Sequence, residues 1–225
     1  MHIAMLLYPR LTQLDLTGPY EVFARFPDTT IDLVAASLDP VPAGGGMRIV
    51  PTTTLADCPA TDILFVPGGP GQAELMDDRA VIDFLKRQGE TARYVTSVCT
   101  GSLVLAAAGL LTGYRATCHW MSLEQLALFG AEPVAERVVV DRNRVTGAGV
   151  TSGIDFALTL MALIFGEERA RLTQLGIEYD PAPPFRGGSP RSAKPADVDK
   201  VRAGAAPFQE RRLEIARAAA ARLKG

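Results

Sequence analysis

Two short runs constrain the architecture this chain can adopt. Ile63-Leu64-Phe65-Val66 is apolar throughout and stops at Pro67-Gly68-Gly69-Pro70-Gly71, while Val95-Thr96-Ser97-Val98 runs straight into Cys99. Short apolar or β-branched runs that end in turns and alternate with helical stretches mark parallel strands buried on both faces. The rest of the chain fits that frame. Strands are expected over residues 2–8 and 31–36, with a third over 47–50 after Gly44-Gly45-Gly46. Helices are expected over 19–26, with Pro19 at the first helical position, over 79–88 and over 103–109. At 225 residues, one α/β domain can bury roughly 70% of its unfolded surface.

The second half adds three features. Residues 136–148 read as a β-hairpin built on the polar turn Asp141-Arg142-Asn143. Residues 151–165 form a helix that is apolar nearly all round, capped by Thr151 or Ser152, and therefore buried in the core or under a partner subunit. A proline-rich arm over 180–195 leads to a terminal helix over 196–223, with a break expected at Pro207. Arg211, Arg212, Arg217 and Arg222 are expected on the solvated face of that helix.

Charge and motif content exclude several classes. A net charge of −2 does not suit nucleic acid or a membrane surface, both of which want a basic stripe. No apolar run reaches the roughly 18 residues of a spanning helix. The N-terminal run His2–Tyr8 is too short for a secretion signal and lacks a basic start, so a cytoplasmic location is expected. Three cysteines without paired spacing (Cys58, Cys99, Cys118) do not make a disulfide framework. With only His2 and His119 as histidines, no zinc pattern appears either.

The chemistry centres on Cys99. A thiol on a sharp strand-to-helix turn, at the positive end of a helix dipole, has its pKa lowered and its sulfur exposed. Cys99 is therefore read as a nucleophile, against the alternative of a small buried hydrophobe. Three residues compete to serve it. Asp15, between Leu14 and Leu16, follows the first strand on the carboxyl side of the sheet, where open α/β sheets bind ligands; its alternative role is an N-cap. His119, beside Cys118, would make a thiol-protease-like pair or else a structural histidine next to Trp120. Asp155 is accounted for by the dipole of its own helix. The glycine turn offers backbone amides at Gly68, Gly69 and Gly71 to a substrate or intermediate. It is not a phosphate loop, since neither the Lys-Ser/Thr nor the Gly-x-Gly-x-x-Gly spacing is present. No basic cluster accompanies Cys99 in sequence, which suits an uncharged substrate.

Taken together, Asp15-Leu16-Thr17-Gly18-Pro19, Pro67-Gly68-Gly69, Val98-Cys99-Thr100-Gly101-Ser102, Ala107-Ala108-Gly109-Leu110-Leu111, Ala116-Thr117-Cys118-His119-Trp120 and Thr151-Ser152-Gly153-Ile154-Asp155 resemble the ThiJ/PfpI superfamily (class I glutamine amidotransferase-like). Within it the likeness is to the isocyanide hydratases. The resemblance implies a flavodoxin-like three-layer sandwich, a mostly parallel sheet with helices on both faces plus a small β-hairpin. It also implies a homodimer and an elbow Cys99 paired with an acid. Most of the superfamily is known for a glutamate near strand one, and Asp15 in that place sets this chain apart from glyoxalases. Thr100, where the proteases carry histidine, sets it apart from them, and the DNA-binding module of AraC-type regulators has no counterpart.

The implied reaction is hydration of an isocyanide to an N-substituted formamide. Cys99 thiolate adds to the terminal carbon while Asp15 donates a proton, giving a thioimidate that water then opens, with Thr100 orienting the water. Cys99 and Asp15 should hold one proton between them. No metal or organic cofactor is required. The other readings are a non-catalytic cysteine redox or stress sensor and, last, a peptidase or amidase using a Cys99–His119 contact.

Overall fold

The computed structural model describes residues 1–224. In chain order the elements are β1 (His2–Leu6), α1 (Gln13–Phe23), β2 (Thr30–Ala35), β3 (Val41–Pro42), β4 (Arg48–Ile49), β5 (Thr53–Thr54), β6 (Ile63–Val66), α2 (Gln72–Leu75), α3 (Arg79–Thr91), β7 (Tyr94–Val98) and α4 (Gly101–Ala107). They continue through β8 (Arg115–Ala116), a 3-10 segment (Leu123–Phe129), β9 (Glu132–Pro133), β10 (Val138–Asp141), β11 (Arg144–Gly147), α5 (Ser152–Phe165), α6 (Glu167–Gly176) and α7 (Pro195–Lys224).

Seven strands form one sheet in the order β10-β11-β7-β6-β1-β2-β5, parallel except for the β10–β11 hairpin. The architecture is thus the expected flavodoxin-like sandwich, a mostly parallel sheet flanked by helices. The hairpin is not a separate flap: β11 pairs in parallel with β7, matching Gly147 to Val98. Every residue of β6 is buried, as a run without polar alternation requires. From β1 the chain steps outward to β2 and later returns on the other side as β6. The loops leaving β1 and β6 therefore diverge, and the crevice that opens there is where such sheets hold ligands.

One face is covered by α1 and α5, which close through edge-on contacts of Phe23 with Phe65 (5.9 Å) and Phe156 (6.1 Å). The crossing is tight, since a methyl at Gly153 would sit 2.8 Å from Pro19 Cδ. On the other face α3 buries Val81, Phe84 and Leu85, and Asp78 caps it by accepting from the Val81 amide at 3.1 Å.

Three expectations change. Pro19 lies inside α1, not at its start, so the helix begins six residues earlier and takes up the stretch expected as a loop. Neither Thr151 nor Ser152 caps α5: Thr151 already has helical dihedrals and makes no cap bond, and Ser152 Oγ is buried without a partner. The apolar α5 buries one side in the core, and Leu163 on its other side is 46% exposed in the single chain. Finally, α7 runs through Pro207 without a break. Pro207 and Ala203, the residue whose carbonyl loses its donor, are both exposed, so water can satisfy that oxygen.

Candidate active site

β7 delivers Cys99 to the carboxyl edge of the sheet with φ 58°, a left-handed conformation that strains any residue with a side chain. Its amide donates to Gly147 O at 3.0 Å and Ala148 O at 2.7 Å, and this double bond to the end of β11 holds the elbow in place. α4 starts directly behind it, with Thr100 at the N-cap position.

Because α1 starts at Gln13, Asp15 falls in its first turn and points into the interior. It is fully buried and is not a cap; Thr12 occupies that position, and neither Asp15 oxygen makes a hydrogen bond to the protein. Gly68 shows what surrounds it. A methyl there would lie 2.6 Å from the Thr100 amide nitrogen, 2.7 Å from Asp15 Oδ2 and 2.7 Å from Cys99 Cβ. Three segments distant in sequence converge on one point, and only a residue without a side chain leaves room for them.

The other two glycines are built into the walls. Gly69, at φ 140°, packs against the Leu11–Thr12 backbone, and its amide donates to Thr100 Oγ1 at 3.1 Å. Gly71 packs against the Pro9 carbonyl, and its amide donates to Arg10 O at 3.3 Å. Of the three turn amides, Gly68 alone faces the carboxyl. The hydroxyl of Thr100 is engaged by Gly69, which leaves its backbone amide turned toward the Cys99 sulfur.

The electrostatics invert one expectation. Burial pushes the Cys99 thiol well above its ordinary pKa, and Asp15 and Cys118 add to the rise; the Thr100 amide only partly offsets them. Burial likewise lifts Asp15 to about 7, with the Cys99 thiol and the Gly68 amide drawing it partly back. These last contacts act through proximity, without the geometry of full hydrogen bonds. The exposed, acidified thiol expected from the helix dipole is therefore not what the fold builds. Desolvation of a buried sulfur outweighs the half-charge of a seven-residue helix. In the resting site Asp15 ionises first, and it is the group able to take the proton from the thiol.

His119 sits one residue beyond the buried Cys118. Its Nδ1 accepts from the Met121 amide at 3.3 Å, and burial, helped by Arg212, lowers its pKa. No hydrogen bond joins it to Cys99, so the peptidase-like pair does not form. Asp155 works elsewhere: its Oδ2 accepts from Arg137 Nε at 2.9 Å and from the Tyr179 hydroxyl at 2.8 Å, tying α5 to the chain before β10 and to the start of the proline-rich arm.

Sequence reasoning missed Arg212. The sequence groups it with Arg211, Arg217 and Arg222 on a solvated face, but it is only 4% exposed. The signal was present in α7, where Arg212, Ala216, Ala219 and Ala220 are spaced as one buried stripe and the other three arginines fall off it. Burial lowers the Arg212 pKa, offset in part by Cys118, Cys99, Tyr8 and Glu74, and its Nη1 donates to Ser122 Oγ at 2.9 Å. Tyr8 donates its hydroxyl to Pro67 O at 2.8 Å and closes the floor between β1 and the glycine turn.

Comparison with known proteins follows the same outline. The DJ-1/PfpI family model matches residues 1–163. The chain is 53% identical to an isonitrile hydratase of Pseudomonas putida over 223 residues, covering 99% of this chain and 98% of that protein. It is 30% identical over 136 residues to the glutathione-independent glyoxalase DJR-1.2 of Caenorhabditis elegans, covering 60% of this chain and 73% of that one. Among solved structures, a ThiJ/PfpI family protein from Pseudomonas syringae superimposes with a TM-score of 0.93 at 45% identity, covering 96% of this chain and 90% of its own.

Proposed function

The chain belongs to the DJ-1/PfpI family, and from that premise we propose that it is an isocyanide hydratase, a carbon–oxygen lyase that adds water to an isocyanide and releases an N-substituted formamide. One observation carries the reading at the site: Asp15, Cys99 and the Thr100 amide meet around Gly68. That arrangement sets a nucleophile and an acid against the same atom. An isocyanide carbon needs both, because it becomes electrophilic only as it gains a proton.

Asp15 takes the thiol proton, and Cys99 Sγ attacks the terminal carbon. The C–S bond forms while the Asp15 proton goes to that carbon, leaving a thioimidate and an Asp15 carboxylate. Asp15 then accepts a proton from the entering water and returns it to the nitrogen. The remaining hydroxyl proton leaves as the C–S bond breaks, so formamide departs and the pair is left with its single proton. Thr100 holds the sulfur through its amide, and Gly68 provides the space. His119 has an accessory part at most, as a neutral wall beyond Cys118.

In this reading the chain works as one domain, with α7 packed over α2, α4 and the 3-10 segment. It pairs with a second copy: α5 and α6 lie together and expose Leu163, Leu172 and Leu175. Sedimentation at the mass of a single chain would remove that pairing. The three unpaired thiols suit a reducing cytoplasm, and no helix among the described residues is long and apolar enough to cross a membrane.

The test is direct. Purified protein mixed with p-nitrophenyl isocyanide should release the corresponding formamide, with a substrate-sized mass adduct confined to the Cys99 peptide during turnover. Absence of formamide, together with a stable oxygen adduct after mild peroxide, would replace the hydratase with a redox sensor.

A further inference from the structure

A cleft of about 340 Å³ runs between the 3-10 segment and α7, and its lining includes none of Asp15, Gly68, Cys99 or Thr100. Met121, Leu128 and Leu213 form its apolar surface. Glu124 and Glu210 line it with carboxylates, and Gln125 and Gln209 with amides. Small-molecule sites combine this range of volume with hydrocarbon walls and a few placed polar groups.

One wall of the cleft is left incomplete by the protein. Gln125 is only 8% exposed, and its Oε1 is buried without a hydrogen-bond partner. Buried carbonyl oxygens are ordinarily paired, because the water they give up has to be replaced. Gln209 is already complete on that side: its Oε1 accepts from Ser122 Oγ at 3.0 Å and from Arg212 Nη1 at 3.3 Å. The acceptor left for a ligand is therefore Gln125 Oε1, and the last torsion of a glutamine is soft enough to turn it toward the cleft. Charge narrows the choice of ligand further. Neither Glu124 nor Glu210 forms an ion pair among the described residues. Arg211 is held by Glu74 at 3.5 Å. Even counting Arg212, which reaches the wall through Gln209, the two carboxylates leave the cleft net negative.

We propose that this cleft binds a small organic ammonium ion. Its N–H donor completes Gln125 Oε1, its charge sits between Glu124 and Glu210, and its hydrocarbon body packs on Met121, Leu128 and Leu213. An ammonium carries three donors on one centre, so a single headgroup serves the amide oxygen and a carboxylate together. An anion would meet two like charges, and a neutral alcohol would pair the oxygen but leave those charges unbalanced. Met121 lets the apolar side adapt to the shape of the body it receives. The site is separate from the Cys99 chemistry and does not depend on the hydratase reading.

The experiment is calorimetric titration of the full chain with benzylammonium, benzyl alcohol and benzoate at low ionic strength. Benzylammonium should bind saturably with a Kd on the order of 1 mM or below, the scale open to a ligand of its size. Benzyl alcohol should bind about tenfold more weakly, for want of a charged donor, and benzoate should not bind. Added salt should weaken the benzylammonium complex. Glu124→Gln and Glu210→Gln, at exposed positions, should each weaken it by about threefold without changing the melting temperature. Gln125→Leu should weaken it by about tenfold; if that variant does not fold, the two glutamate variants decide. Cys99→Ala should bind benzylammonium as the parent does. Failure to saturate, equal affinity for the alcohol, or an affinity unmoved in both glutamate variants overturns the proposal. Loss of binding in Cys99→Ala would place the ligand at the elbow and overturns it as well.

Discussion

The turn after β7 and the stretch after β8 each bury a cysteine, and burial drives both thiols up, Cys118 to about 12 and Cys99 well above its ordinary value. What separates them is their company. Cys99 stands at a strained elbow against a carboxyl that titrates at about 7. Cys118 is followed by His119, which burial keeps neutral and which is bonded to the Met121 amide. Low dielectric alone makes a thiol inert. A proton acceptor lifted by the same burial makes it usable, because thiol and acceptor then exchange one proton without exposing a second charge to the interior.

Three substitutions break or sharpen this contrast. Cys99→Ala should abolish formamide release and the mass adduct while the melting temperature stays within a few degrees; near-native turnover would erase the difference between the two cysteines. Asp15→Asn should lower kcat/KM by on the order of a hundredfold or more. In the parent, kcat/KM should fall as pH drops through about 7, where the carboxyl gains its own proton and can no longer take one from the thiol. That limb should vanish in the Asn variant.

The same raised pKa has a stability consequence. Asp15 binds its proton more tightly folded than unfolded, so its ionisation costs the native state increasingly between pH 4 and 7. Asp15→Asn should therefore melt higher than the parent at pH 8, with the gain shrinking toward pH 4; a pH-independent gap would contradict the burial argument. The smallest effect belongs to Cys118→Ala. Its kcat/KM should remain within about threefold, while the small cavity left behind costs about 1 kcal/mol, read as a melting temperature lower by about 2–4 °C.

Much of this was legible in advance where a local rule was free of competition. The unbroken apolar run Ile63–Val66 could only be a covered strand, and Cys99 at the end of β7 could only stand at the sheet's carboxyl edge. Pro19 misled because a proline suits a first helical turn, yet here packing against Gly153 of α5 keeps it in the helix interior. Gly71 misled because a glycine that admits a substrate and one that admits a neighbouring carbonyl look identical in sequence; the Pro9 carbonyl decided between them. Arg212 was overlooked by residue type, although its spacing from Ala216, Ala219 and Ala220 placed it on the buried stripe.

By itself the amino-acid order determined the alternation of strands and helices, the elbow that presents a sulfur, and the carboxyl that follows the first strand, because each depends on a short stretch of chain and its own periodicity. Only the tertiary structure decided how protons and charges are distributed there. The pKa of Asp15, the suppressed acidity of Cys99 and the unpaired cation of Arg212 all depend on how much water is excluded and which distant loops do the excluding, and that is a property of the packed whole.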